Sequence, residues 1–154
     1  SRLSLNAFAK GWIVDRALAA GASIDGVEGL TVNAGGDLAH VGPSPVAVGI
    51  EDPARPFDNV APLAVIDVRS GGLATSGSAR RGFRVGPRWF GHVIDPRTGR
   101  PVTGARFAAV IHPEAIVSDA ISTALLVLGN DGLPRLRTAF PTAEFLTDDS
   151  PKPE

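Results

Sequence analysis

Apolar side chains at Phe8, Trp12, Ile13, Ala17 and Leu18, with Lys10, Asp15 and Arg16 between them, recur at helical spacing and predict an amphipathic helix over residues 7–20. Gly21 marks its end, and Ser4 and Asn6 are candidate N-caps. Beyond it the period shortens. Residues 30–33, 46–50 and 63–68 read as strands, the last by alternation of apolar and polar positions. Gly72 through Gly77 is a strand end with hydroxyls on successive residues, Thr75 and Ser76. An arginine-rich hairpin through Arg80, Arg81 and Arg84 leads into an aromatic and β-branched strand over 89–94. A nearly continuous apolar run predicts a final inner strand at 105–112. The period then lengthens again at Ile116, Ala120, Ala124 and Val127, predicting a second helix over 114–128, entered at Pro113 and left at Gly129. A short helix near 133–138 and a strand at 143–146 precede a polar, proline-bearing tail, residues 148–154, expected to be disordered.

Composition narrows this picture. The 154 residues are one domain's length, and 44 % apolar with 20 % charged side chains describe a globular chain. A net charge of −1 gives no electrostatic case for nucleic acid, and no run of Lys or Arg suggests a membrane surface. The absence of Cys removes disulfides, thiolate metal sites and cysteine nucleophiles, and leaves the redox compartment open. No segment has the length of apolar residues that a membrane span needs, and the first residues lack the order of a signal peptide. The chain opens on Ser1 rather than Met, as truncation, processing or an engineered boundary would leave it.

Four stretches carry candidate chemistry. In His92-Val93-Ile94-Asp95-Pro96-Arg97-Thr98-Gly99, Pro fixes φ and Gly supplies a positive φ, so a rigid turn places His92 and Asp95 where strand meets loop. Turn chemistry alone explains most of these residues. Asp119, Ser122 and Thr123 share one face of the second helix at i, i+3 and i+4. Three oxygen donors on adjacent turns suit a hard cation such as Mg²⁺, although an Asp with two neighbouring hydroxyls fits the pattern equally. Arginines 80, 81 and 84 beside a Gly and Ser turn are suited to gripping phosphate, or to a solvated face. Ala34-Gly35-Gly36-Asp37 is a turn whose glycines let backbone N–H groups approach a ligand, though most such turns merely reverse the chain.

Five stretches, in order, resemble the ApbE family of flavin transferases, the FAD:protein FMN transferases. They are Leu5-Asn6-Ala7-Phe8-Ala9-Lys10-Gly11-Trp12-Ile13-Val14-Asp15-Arg16, Val32-Asn33-Ala34-Gly35-Gly36-Asp37, Val48-Gly49-Ile50-Glu51-Asp52-Pro53, Leu73-Ala74-Thr75-Ser76-Gly77 running on to His92-Val93-Ile94-Asp95-Pro96-Arg97-Thr98-Gly99, and Ser118-Asp119-Ala120-Ile121-Ser122-Thr123-Ala124-Leu125. The resemblance implies an α+β fold, a mainly antiparallel sheet carrying helices like the family's T-fold-like core, in one domain over residues 1–147. It implies binding of FAD and a divalent metal, usually Mg²⁺, cleavage of the pyrophosphate, and attachment of FMN to a Thr hydroxyl of an acceptor protein with AMP leaving. By the same resemblance Asp119 and Thr123 match metal ligands, Ser122 a further one, and the carbonyl of Ala7 a backbone ligand. Lys10 matches an FAD contact, Ile94 a main-chain contact, and His92 the general base, while Gly36, Asp37, Thr75 and Ser76 match the flavin-side lining.

Two departures shape the expectation. Ser4 stands where the family's opening motif carries Asp, which reduces that FAD contact to a hydroxyl's. Family members are about twice this length, and the resemblance implies that the portion lacking here is N-terminal and holds residues that sandwich the flavin ring. A second copy or a complementing chain is therefore an expected partner besides FAD and the acceptor. Two further readings stand beside transfer: a non-catalytic flavin- or nucleotide-binding module, and an FAD pyrophosphatase giving FMN and AMP. The family is often extracytoplasmic and membrane-anchored in bacteria, and these residues leave the compartment open.

Overall fold

The computed structural model describes residues 5–55, 59–102 and 107–147. Ser4 and the tail from residue 148 lie outside the described residues. A five-stranded antiparallel sheet forms the centre, in the order β1 (Leu30–Ala34), β2 (Asp37–Val41), β5 (Gly71–Gly77), β10 (Phe107–His112) and β11 (Glu144–Thr147). Helices α1 (Ala9–Ala22) and α2 (Ala115–Leu128) cover one face, and the hairpin of β3 (Val46–Ile50) and β4 (Ala64–Val68) covers the other. A short 3₁₀ turn and α3 (Leu133–Ala139) connect α2 to the edge strand β11. The α+β class with a mainly antiparallel sheet is thus the observed architecture.

The two-residue period of the strands separates two cores. On the hairpin side Leu38, Leu73, Phe107 and Ala109 pack with Ile50 and Val68. On the helix side Ala108 and Val110 meet Ile121, Leu125, Leu126 and Leu136. Each large apolar side chain fully buried here contributes about 1.5–3 kcal/mol, so the inner strand and α2 anchor the whole. Among the described residues no single helix is long and apolar enough to cross a membrane.

The first helix departs from its hydrophobic pattern. Gly11 and Val14 are its buried residues, whereas Trp12 and Ile13 are 54 % and 56 % exposed. The reason is close approach: a Cβ on Gly11 would sit 2.4 Å from the Ala115 carbonyl oxygen, so α1 meets the start of α2 through a residue without a side chain. The helix also runs on past Gly21 to Ala22, and the space that a Cβ there would take is filled by the Leu30 side chain. Phe8, rather than Ser4 or Asn6, occupies the N-cap position.

Two strand expectations are revised. Residues 37–41 form β2, paired with β1 through the tight Gly35-Gly36 turn, both glycines having positive φ. The run 89–94 divides at His92, because β7 (Arg88–Gly91) pairs with β6 (Gly82–Val85), while β8 (Ile94–Asp95) pairs with β9 (Arg100–Pro101). Asp95 accepts from the Arg97 backbone N–H at 2.8 Å and holds its guanidinium, and Gly99 closes the turn at φ +66°. The guanidinium beside Asp95 lowers that carboxyl's pKa.

Candidate active site

Two carboxylates lie under the first helix. Asp37 opens β2 opposite Ala74, and the pleat turns it, like Ala39, towards the helices. It is 1 % exposed. The Lys10 ammonium lies 2.7 Å from its Oδ2, and its Oδ1 has no hydrogen-bond partner among the described residues. Burial pushes the Asp37 pKa up to about 6; Lys10 opposes this, and the negative charge of Asp119 adds to it.

Asp119, also buried, reaches the same place from α2, and its Oδ2 accepts from the Gly11 backbone N–H at 3.0 Å. A reciprocal contact runs the other way. Asp15 of α1 accepts from the backbone N–H groups of Ala115 and Ile116, at 2.8 and 2.9 Å, and so caps α2 from a distant part of the chain. Each helix thus offers a carboxylate to the other's backbone, which fixes Lys10 and Asp119 relative to one another.

A hydroxyl cluster adjoins them. Ser76 of β5 lies 2.9 Å from the Ser122 hydroxyl and 3.0 Å from that of Thr123. Both helix hydroxyls also donate to the Asp119 carbonyl, at 3.0 and 3.3 Å, so they bond the backbone of Asp119 rather than its carboxylate. Ser122 is fully buried, while Thr123 keeps an accessible side.

These groups form one wall of an open cleft of about 750 Å³. Ala7, Lys10, Thr75, Ser76, Asp119 and Thr123 line it, together with His92 and Ile94. Gly36, Asp37 and Ser122 do not line it: Asp37 and Ser122 are buried behind the surface, and Gly36 gives its place to Gly35 while its carbonyl accepts from Thr75 at 3.5 Å. Arg80 and Arg81 reach the rim, but Arg84 does not, so the phosphate reading of that trio narrows to two. Arg80 pairs with Glu51.

His92 is held at the Arg81 carbonyl. Its backbone N–H and its Nδ1 both face the Arg81 carbonyl, at 3.1 and 3.2 Å. A carbonyl only accepts, so the neutral ring carries its proton on Nδ1 and leaves the Nε2 lone pair free. His40, by contrast, is buried with both ring nitrogens engaged, by Thr31 and Ser44. Among the described residues no three His, Cys, Asp or Glu side chains converge on one point. The donors present are carboxylate, hydroxyl and carbonyl oxygens, the set a hard cation takes, and Asp37, whose Oδ1 has no hydrogen-bond partner among the described residues, shares the place with the negative charge of Asp119.

Comparisons with known proteins give the family of the chain. The ApbE family model matches residues 1–146, and the chain belongs to that family. A FAD:protein FMN transferase of Rhodobacter capsulatus is 37 % identical over 139 residues, covering 88 % of this chain and 26 % of the relative. The Escherichia coli K12 enzyme of the same name is 36 % identical over 110 residues, 68 % of this chain and 31 % of its own. Among solved structures, the ApbE protein of Thermotoga maritima superposes with a TM-score of 0.83 at 32 % identity, covering 95 % of this chain and 48 % of that one. The Pseudomonas stutzeri flavinyl transferase ApbE gives 0.73 at 28 %, with 97 % and 47 % covered. The chain thus spans between a quarter and a half of the length of these relatives.

Asp15 and the Gly11 amide escaped sequence reasoning. Their signal was the spacing: a mid-helix glycine one turn before an acid marks a face made for close backbone contact.

Proposed function

We propose that this chain carries the catalytic groups of a Mg²⁺-dependent transfer of FMN from FAD to a Thr hydroxyl of an acceptor protein, with AMP released. The observation that carries it is the meeting, in one cleft, of Lys10, Asp119 and Thr123 with His92, whose Nδ1 is engaged by the Arg81 carbonyl. The FAD pyrophosphate would lie between them. His92 Nε2 accepts the proton of the attacking hydroxyl, the new O–P bond forms at the FMN phosphorus, and the bond to the AMP phosphate oxygen breaks. Lys10 supplies positive charge to the phosphate oxygens. Asp119, the Thr123 hydroxyl and the Ala7 carbonyl would hold the Mg²⁺, which when bound supplies charge neutralisation at the pyrophosphate.

The test is purified chain with FAD and MgCl₂, followed for AMP by chromatography and for an FMN mass increment on an acceptor peptide. AMP with the increment supports transfer, and AMP with free FMN supports the pyrophosphatase. The chain's partial coverage of its relatives favours one further reading, a flavin-nucleotide module completed by another segment or chain. FAD binding without AMP under any divalent metal would select it.

A further inference from the structure

We propose that the β6–β7 hairpin is the surface that receives the acceptor polypeptide, and that it selects an acidic segment with an apolar side chain close to the hydroxyl residue. This rests on the transfer reading above. Residues 80–91 contain four Arg and three aromatic residues and no Asp or Glu, within a chain of net charge −1. Arg80 is engaged by Glu51, whereas Arg81, Arg84 and Arg88 are exposed and enter no ion pair among the described residues. Guanidinium groups left in this state offer charge complementarity to carboxylates.

The register divides the hairpin into two faces. Phe83 lies opposite Phe90 and Val85 opposite Arg88 on one face, while Arg84 lies opposite Trp89 on the other. The Phe83 and Phe90 rings stack at 5.5 Å, and Phe83, Val85 and Trp89 are each exposed by between 42 % and 59 %. Apolar rings at this exposure beside unpaired cations are characteristic of recognition surfaces. The hairpin is also firmly seated. The Trp89 Nε1–H donates to the Ser78 carbonyl at 2.6 Å, and the indole lies over Gly82, where a Cβ would come within 2.8 Å of the ring.

Position makes the surface specific to the acceptor. The hairpin stem is the Arg81 carbonyl bonded to the His92 backbone and ring, so the surface begins at the general base. A protein hydroxyl that reaches His92 Nε2 brings its flanking residues over the adjoining strands.

The test uses a labelled synthetic peptide with one Thr flanked by Asp, Glu and Leu, beside versions with Asn and Gln or with Lys in place of the acids. The protein is the wild-type chain, R84E/R88E, and F83S. Neither Arg84, Arg88 nor Phe83 lines the cleft. Fluorescence polarisation is expected to show binding of the acidic peptide only, weakened by salt, at least tenfold weaker in R84E/R88E and several-fold weaker in F83S. FAD affinity, read from flavin fluorescence, and AMP release are expected to stay at the wild-type level in each variant. Equal affinity for acidic and neutral peptides, or an unchanged affinity in R84E/R88E, overturns the proposal. So does tighter binding of single-stranded DNA than of peptide, or a dimer that R84E/R88E dissociates without effect on peptide. Loss of FAD binding in the wild type with acidic-peptide binding intact would instead count against the transfer reading alone.

Discussion

The α1–α2 wall of the cleft and the β6–β7 hairpin beyond its rim are built on opposite principles. The α1–α2 wall is held by backbone contact at Gly11, by buried carboxylates and by amide hydrogen bonds between helices, and its groups have few alternative positions. The β6–β7 hairpin stands out in solvent on two short strands, seated by the Trp89 indole hydrogen bond and by the Arg81 carbonyl at His92, and carries Arg84 and Arg88 unpaired among the described residues. Burial fixes geometry at the cost of adaptability, and exposure does the reverse. The difference matches the work proposed for each side: the nucleotide and its cation are the same in every turnover, whereas a polypeptide acceptor arrives from outside.

The comparison can be broken hardest at the helix contact. Gly11→Val places side-chain carbon against the Ala115 carbonyl, and we expect destabilisation of about 3 kcal/mol or more, read by urea denaturation. Next, Asp15→Ala removes two amide acceptors at the start of α2. It is expected to cost about 1–2 kcal/mol and to weaken Mg²⁺ binding by about tenfold in calorimetry, as loss of a supporting contact does. Asp15→Glu should recover part of both. If the metal affinity is unchanged in Asp15→Ala, the helix clasp is structural only.

A third test uses pH. The folded pKa of Asp37 is raised to about 6 from 3.8, so the folded state binds the proton more tightly than the unfolded chain. Its contribution to stability is therefore greatest below pH 3.8 and declines as pH rises through 6. Asp37→Asn should remove that slope in metal-free denaturation series, and Mg²⁺ should oppose it by favouring the charged form. The smallest effect belongs to the exposed side. Asp95 has its pKa lowered by Arg97, so its contribution is present above the unfolded value and lost as pH falls below it. Asp95→Asn at neutral pH should leave the midpoint almost unmoved, as exposed pairs do.

Much of the fold was legible because burial leaves a period. The inner strand at 107–112 and the helix at 115–128 are apolar for the reason that they are central, and both were found within a few residues. The first helix misled because its burial rests on Gly11, which adds nothing to a hydrophobic count, while Trp12 and Ile13 add much and face outward. Strand β2 hid because Asp37 looks like a turn residue when its ion contact with Lys10 is out of view. In the cleft, Lys10, the α2 pair Asp119 and Thr123, and His92 come together from three separate stretches. The burial of Ser122 behind Thr123 and the proton on Nδ1 of His92 depended on Ser76 and on the Arg81 carbonyl, partners far along the chain that no local pattern encodes.

The helix clasp also has a meaning for how the chain folds. Its bonds join residues 100 to 108 positions apart, from Asp15 to Ala115 and from Gly11 to Asp119. Contacts of such separation close a long loop and carry its entropic cost, so they form late relative to the hairpins. A chain ordered only as far as residue 102 would hold Lys10 and Asp37 but neither Asp119 nor the amides that Asp15 caps. Its oxygen donors would be scattered, and the proposed cation site would come into being only with the completion of the fold.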